Sequence, residues 1–358
     1  YYHGQGIEDP IRIDIPKGSY IPTFLENHTA SEVPGPSECP PPVPDHTPHS
    51  LSEPTIAVSM FQNLNRKDEK SFLARGLTSE ILISLTRFSG LTVLGPLDQA
   101  EGKTIDLHKI CNGYKAMFVL QGRVRSQGSK VRITVDLTDA STGANVWGRT
   151  FEYDLEKASL FEIEDQVTSQ VTGVVADGLG IIFRKIKTDT YQEHIRFSDV
   201  THAVLKYNHG WMTLAPQDWE QAIAALGNAL KRHPDNALLT ALLANLYYAD
   251  VAHDSQLIPD ALSKAKKLIH KAIDLDPDLQ VAQYNLVPLN ALLGRTEQCV
   301  AAAKKVVAMN PNHARILAGC AVAVTQSGAY DTGVDYIERA MKLNPHYPGW
   351  YHFVYYLV

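Results

Sequence analysis

Fourteen histidines, four cysteines and a short run of acids are the groups in this sequence with the chemistry to bind a metal or move protons. Their spacing argues against both roles. His46 and His49 lie in a proline-rich stretch that fixes no ligand geometry, while His202, His209, His233, His270, His313 and His346 are dispersed along the C-terminal half. Solvated or capping roles are expected for them, and no metal. Cys39, Cys111, Cys299 and Cys320 form no CxxC pair, which reads as free, mostly buried thiols in a reducing, cytoplasmic compartment. Glu162, Glu164 and Asp165 fall in the first turn of an expected helix, where acids complement the helix dipole.

Phosphate and nucleophile chemistry find no better footing. The patterns GxxxxGKS/T, HExxH and GxSxG do not occur, and the nearest glycine fingerprint, Gly178-Leu179-Gly180, lacks its third glycine and follows a helix instead of a strand. The segment RVRSQGSKVR sets Arg123, Arg125, Lys130 and Arg132 around a hairpin tip. Arg123 and Arg125 share one strand face, read as solvated in preference to a phosphate patch, and Trp147 is read as a core anchor. The expectation is a chain with no enzymatic activity and no cofactor, which neither hydrolyses nor cyclises nucleotides.

Composition bounds the classes that remain. The 358 residues, 44% apolar with 33 Lys plus Arg against 39 Asp plus Glu, suit a globular protein of two or three domains and not a nucleic-acid-coating one. Up to Pro54 only Arg12 and Lys17 stand against eight acids. No apolar run approaches the roughly 20 residues that cross a bilayer, so no membrane insertion is expected. The opening YYHGQGIEDP has neither initiator Met nor signal peptide, and the closing YPGWYHFVYYLV reads as an unfinished helix; the sequence is taken as a fragment.

Four segments follow from pattern. IRIDIPKGSYIPTF, within residues 1–25, alternates as a β-hairpin on a Pro-Lys-Gly-Ser turn. Residues 26–54, dense in proline, read as an extended linker with no regular ladder. Residues 55–187 alternate strand and helix and then give three successive strands, predicting a mixed-sheet α/β or α+β domain whose last helix runs through LFEIEDQVTSQVTGVVADGLG. In the first helix, Phe72, Leu77, Ile81, Leu85 and Phe88 are the apolar stripe. From 188 to 358, prolines at 234, 277, 311 and 345 recur at intervals of 43, 34 and 34 residues. Small residues fall where paired helices touch: Gly210, Ala222 and Ala229; Ala244, Ala265 and Ala272; Ala321, Gly333 and Ala340. The third unit has Val287, Cys299 and Val306 there instead, which predicts a splayed pair. The nine extra residues of the second unit fall near VAHDSQLIP.

The period, the helix pairs and the terminal prolines resemble the tetratricopeptide (TPR) repeat, four units and the start of a fifth in an all-α solenoid. PTIAVSMFQNL, FLARGLTSEILISLTRFSGLTVLG, FVLQGRVRSQGSKVRITVDLTDASTGANVWGRTFEYDL and LFEIEDQVTSQV resemble the TolB amino-terminal-like domain, which in bacteria accompanies TPR arrays in signalling proteins, nucleotide cyclases and transcription regulators among them. Arg75 and Gln121 depart from it where acids are usual. DPIRIDIPKGSYIPTF resembles the terminal wing of a winged-helix DNA-binding domain, which implies that Arg12 and Lys17 face a phosphate backbone and that DNA binding needs upstream residues.

Resemblance to TPR proteins also implies a concave groove for a protein or peptide partner. It would be lined by Tyr207, Asn208, Trp211, Asn245, Tyr248, Tyr284, Asn285 and Arg315. Asn245, Asn285 and Arg315 match part of a carboxylate clamp, although Ala241 and Gly319 stand where clamps carry cations. The functional expectation is a bacterial transcription regulator whose middle and repeat domains sense or recruit a partner. The alternatives are the regulatory fragment of a nucleotide cyclase and a self-assembling, homo-oligomeric scaffold.

Overall fold

Alternation in one short strand decides the layering of the middle domain. In β4 (Thr55–Ser59) every residue is buried, as befits a central parallel strand covered on both faces. Ile56 and Val58 join a cluster with Leu73, Leu77, Ile81 and Leu85 of one helix and Ile163, Val167 and Val171 of another, whereas Ala57 joins Ile110, Ala116 and Val119 on the opposite face. The structure is a computed structural model and describes residues 11–14, 23–26, 49–51, 53–65, 71–97, 107–186 and 195–358.

The chain divides into two units, Tyr1–Thr47 and Pro48–Val358. In the first, β1 (Ile11–Asp14) pairs antiparallel with β2 (Thr23–Glu26), Ile11 opposite Glu26 and Asp14 opposite Thr23. The expected turn with Lys17 lies outside the described residues, as does Cys39.

The second unit begins with a correction. The end of the stretch read as a linker forms β3 (His49–Leu51), which pairs in parallel with β10 (Ile195–Phe197). Strands here need only backbone partners, which proline content elsewhere in the stretch does not forbid.

The main sheet runs β6 (Thr92–Leu97), β4, β7 (Phe118–Gln127), β8 (Lys130–Asp139), β9 (Asn145–Asp154), with the short β5 (Gln62–Asn63) against β7. Pairs β4–β6 and β4–β7 are parallel, and β7–β8–β9 is an antiparallel meander, the mixed sheet that was expected. Helices α1 (Ser71–Leu85) and α3 (Leu160–Val175) cover one face and α2 (Leu107–Tyr114) the other. In α1 the stripe starts at Leu73, fully buried, and not at Phe72, which is 52% exposed. Arg123, Arg125 and Arg132 lie exposed on their strands; Arg123 pairs with Asp136, and Arg132 pairs with Glu152 at 2.6 Å, a solvated face as read. Trp147 is half-buried against the core. At the start of α3, Ser159 and Glu162 close a capping box: Ser159 Oγ accepts from the Glu162 N–H, and Glu162 Oε2 accepts from the Ser159 N–H.

The helix expected through Gly180 stops earlier. It ends at Val175, and α4 (Ile181–Ile186) restarts after a turn in which Asp177 accepts from the Leu179 N–H at 2.8 Å. The turn needs its glycines: a Cβ on Gly180 would stand 2.4 Å from the Val174 carbonyl oxygen, and one on Gly178 would stand 2.8 Å from Asn208 Oδ1.

The rest is a stack of antiparallel helices: α5 (Asp199–Thr213), α6 (Pro216–Arg232), α7 (Ala237–Ala252), α8 (Ala261–Leu275), α9 (Gln280–Tyr284), α10 (Leu286–Leu292), α11 (Thr296–Met309), α12 (Ala314–Gln326) and α13 (Tyr330–Leu343). A 3₁₀ turn (Gly349–His352) and α14 (Phe353–Leu357) follow. Each of the four prolines sits two residues past a helix end, where it cannot continue the helix. The small residues are contact points: a Cβ on Gly210 would meet Trp219 Cδ1 at 2.9 Å, and one on Gly333 would meet Thr325 Oγ1 at 1.8 Å. The nine-residue insertion is the loop between α7 and α8, held by Asp250, whose carboxylate accepts from the Leu257 and Ile258 N–H groups. In the third unit the irregularity lies within the first helix, broken at Asn285 because Pro288 has no N–H for the Tyr284 carbonyl. Val287, Cys299 and Val306 are core residues there. This is a mixed-sheet domain followed by a TPR-type helical solenoid.

Sheet domain and array are not joined by a linker alone; they pack. Asp177, fully buried, accepts from His313 Nδ1 at 3.0 Å and from the Arg315 backbone N–H at 2.8 Å. Asn312 Nδ2 donates to Ser84 Oγ, Asn310 Nδ2 to the Arg87 carbonyl and Arg184 Nη2 to the His346 carbonyl. A Cβ on Gly173 would stand 3.1 Å from Leu343 Cβ, so α3 approaches α13 at backbone distance.

Candidate functional site

The concave side of the array is lined by residues of α5, α7, the α9–α10 break and α12, together with the 3₁₀ turn and α14. It encloses a cavity of about 490 Å³ whose walls include Trp211, Tyr248, Tyr284, Pro288, Val322 and Trp350, with Arg315 among them. Aromatic rings dominate. Trp211 stands 5.6 Å from Trp219 and 6.1 Å from Trp350, centre to centre, and Trp219 meets His253 edge-on at 5.2 Å. Trp219 is itself fixed by donating Nε1–H to the Gly210 carbonyl at 3.0 Å. The break at Asn285 is what brings Tyr284 and Pro288 to the same wall.

The eight residues expected in the groove separate into three sets. Trp211, Tyr248, Tyr284 and Arg315 line the cavity. Tyr207, Asn245 and Asn285 lie beneath it in a buried ladder: Arg315 Nη1 donates to the Tyr207 hydroxyl (3.0 Å), which donates to Asn245 Oδ1 (2.7 Å). Asn245 Nδ2 donates to Asn285 Oδ1 (3.1 Å), and Asn285 Nδ2 donates to the Ala241 carbonyl (2.8 Å). The two amides are therefore spent on one another, and the clamp geometry that the resemblance implied is not assembled. At Gly319 a Cβ would stand 2.2 Å from the Tyr284 hydroxyl, so a cation has no room there. Asn208 turns the other way, toward Gly178 and a small cavity at the sheet-domain junction. Of the wing cations, Arg12 falls in β1 and Lys17 outside the described residues.

Electrostatics follow burial. The Tyr248 phenol is pushed up to about 12 by burial, with Cys299 nearby adding to it, and the Tyr284 phenol is raised well above its ordinary value by burial. Burial lowers His253, which keeps it neutral near pH 7. For Arg315 burial works against the charge, but Tyr207, Tyr284 and Asp177 outweigh it, so the guanidinium stays protonated. Cys299 and Cys320 are buried free thiols, and Cys111 is half-buried. Among the described residues no three His, Cys, Asp or Glu side chains converge as a metal would need, and no helix is long and apolar enough to cross a membrane.

Sequence reasoning missed Leu214, His253, Pro288, Val322, Trp350 and Phe353 as lining residues. For Trp350 and Phe353 the signal was there: continuing the repeat alignment into its fifth unit places them on a first helix.

Comparison with known proteins agrees with the helical reading. Residues 211–278 match the family model of the tetratricopeptide repeat. A protein of Rhizobium meliloti (strain 1021) named "Putative adenylate cyclase 3" is 27% identical over 296 residues, which cover 80% of this chain and 46% of that protein. The chain thus spans about half the length of that relative. Among solved structures, TolB from Acinetobacter baumannii is similar over 34% of this chain and 27% of its own (14% identity, TM-score 0.24). The PelC dodecamer from Paraburkholderia phytofirmans is similar over 36% and 91% (20% identity, TM-score 0.25), and lipoprotein GNA1162 from Neisseria meningitidis over 33% and 95% (17% identity, TM-score 0.26).

Proposed function

We infer that this chain is the regulatory, partner-binding part of a larger bacterial signalling protein, acting in the cytoplasm and carrying out no chemistry of its own. The observation that carries the reading is the aromatic concave cavity on an array packed against the sheet domain through Asp177, His313 and Arg315, with Arg315 lining the cavity and its backbone N–H bonded across the junction. A relative named as an adenylate cyclase, matched over less than half its length, supports placing nucleotide chemistry in a domain outside this span.

The test uses the full-length gene product. Tyr248→Asp, which sets a charge in the aromatic wall, is expected to change its cyclase output severalfold while the 358-residue chain alone turns over no nucleotide. Turnover by the chain alone, abolished by a point substitution within it, would overturn the reading, and so would unchanged output in the variant.

A second reading, the transcription regulator, draws on the β1–β2 hairpin, whose antiparallel register suits a wing. It predicts that the full-length product binds duplex DNA in a salt-dependent way that weakens in Lys17→Glu, since a phosphate contact positions without reading sequence. No binding at low or physiological salt removes it and leaves the self-assembling scaffold to be checked by the protein's mass in solution.

A further inference from the structure

Docking of a partner protein does not by itself call for one feature of the concave cavity, a buried guanidinium that no carboxylate of the described residues touches. Arg315 is 7% exposed and lies between two cavities, lining both the concave one and the small one at the sheet-domain junction. Its Nη1 donates to the neutral Tyr207 hydroxyl, its Cζ stands 5.1 Å from the centre of the Tyr207 ring, and its Nε finds no acceptor. Asp177, a buried acid whose charge acts on Arg315, is already engaged by His313, by the Leu179 N–H and by the backbone N–H of Arg315. No Asp or Glu lines the cavity, and its other titratable groups are His253 and the phenols of Tyr248, Tyr284 and Tyr356. A second donor, the indole Nε1 of Trp350, is likewise without an acceptor. Arginine carries five donors in a planar fork matched to carboxylates, and a buried cation with no anion in contact is costly to keep.

Shape narrows the occupant. About 490 Å³ lies within the roughly 300–1,000 Å³ of sites that enclose drug-sized molecules. A peptide laid along the groove would bring a row of backbone donors and acceptors, yet Asn245 and Asn285 are bonded to each other and the wall is mostly aromatic and aliphatic. A phosphate would bring two charges to a single guanidinium. A carboxylate brings one.

We propose that the concave cavity binds a small organic acid: an aromatic or branched apolar body against the wall of Trp211, Tyr248 and Trp350, with one carboxylate on Arg315. The proposal rests on the reading of the concave face as the input site of a regulatory module, and names the class of molecule that enters it.

The test compares 2-naphthoate with 2-naphthamide, the same body without the charge, by calorimetry and by quenching of tryptophan fluorescence in the purified 358-residue chain. A charge-assisted hydrogen bond is worth about 1.5–3 kcal/mol, so the acid should bind on the order of 10- to 150-fold tighter than the amide. Arg315→Met should erase that preference. Because Arg315→Met removes a buried group and risks the fold, Val322→Trp serves as the second variant: from a half-buried position it fills the cavity, and it should abolish binding of both probes with an unchanged melting midpoint. Equal affinity for acid and amide, no binding of the acid up to millimolar, or binding of an apolar peptide without the acid would each overturn the proposal. Its failure is separable from that of the regulatory reading. Naphthoate binding with unchanged output in the full-length Tyr248→Asp variant keeps the ligand site and sinks the regulatory role, and altered output without naphthoate binding does the reverse.

Discussion

Helix α12 faces two environments built from the same kinds of residue. Toward the sheet domain, Asp177 takes three donors, Asn312 reaches Ser84, and Ser84 lies 3.2 Å from Thr172, so the groups around Asp177 and Asn312 are bonded, while Arg184 Nε at the edge of the junction is not. Arg315 Nε and Trp350 Nε1 have no acceptor among the described residues, and both residues line the concave cavity, which is large enough for a ligand. The difference separates two uses of buried polarity. A saturated network fixes how two bodies meet, because any other arrangement strands a group; an unsaturated one is a standing demand for an outside partner.

The largest expected effect breaks the saturated side. Asp177→Ala leaves the Leu179 and Arg315 N–H groups and His313 without their acceptor and should cost about 3–5 kcal/mol, read by urea denaturation of the whole chain. The same carboxylate predicts a pH dependence. Burial alone would raise Asp177, but the His313 hydrogen bond and charge and the Arg315 and Leu179 N–H groups outweigh it and hold it below the ordinary carboxylate range. Its folded-state value is therefore depressed: the contribution is complete above the unfolded value of about 4 and drains away as pH falls through the folded value. Wild type should lose stability in that acid window, and Asp177→Asn should flatten the loss. A flat wild-type profile below pH 4 would count against Asp177 as the fastener.

A smaller effect sharpens the boundary between the two sides. Tyr207→Phe deletes the hydroxyl that bridges Arg315 to Asn245 and should cost about 1–3 kcal/mol, since both partners stay buried. A cost equal to that of Asp177→Ala would mean that the ladder belongs to the junction and not to the cavity floor. The smallest effect is expected on the open side itself: Val322→Trp should change stability within about 0.5 kcal/mol, because it fills space already present. A large loss there would show that the cavity is not room for a ligand.

What could be read before any fold was known were the features encoded locally. Alternation marked the strands of the meander, prolines at 234, 277, 311 and 345 kept the phase of the helix pairs, and Gly210, Ala222, Gly333 and Ala340 marked where backbones approach. Each depends on a few neighbouring residues, so the signal survives in one dimension. The same periodicity put Tyr207, Asn245, Asn285 and Arg315 on one face. It did not say that three of them would spend their polar atoms on one another, because Tyr207 and Arg315 are 108 residues apart and their bond exists only once four helices have stacked.

The junction was beyond the sequence for the same reason. Asp177 lies within LFEIEDQVTSQVTGVVADGLG with no local pattern to single it out, and its partners His313 and Arg315 stand 136 and 138 positions away. Local chemistry determined that a mixed sheet and a helical repeat would form. Burial decided which polar groups are closed and which stay open, because whether a donor finds an acceptor depends on groups that only the folded chain brings within 3 Å.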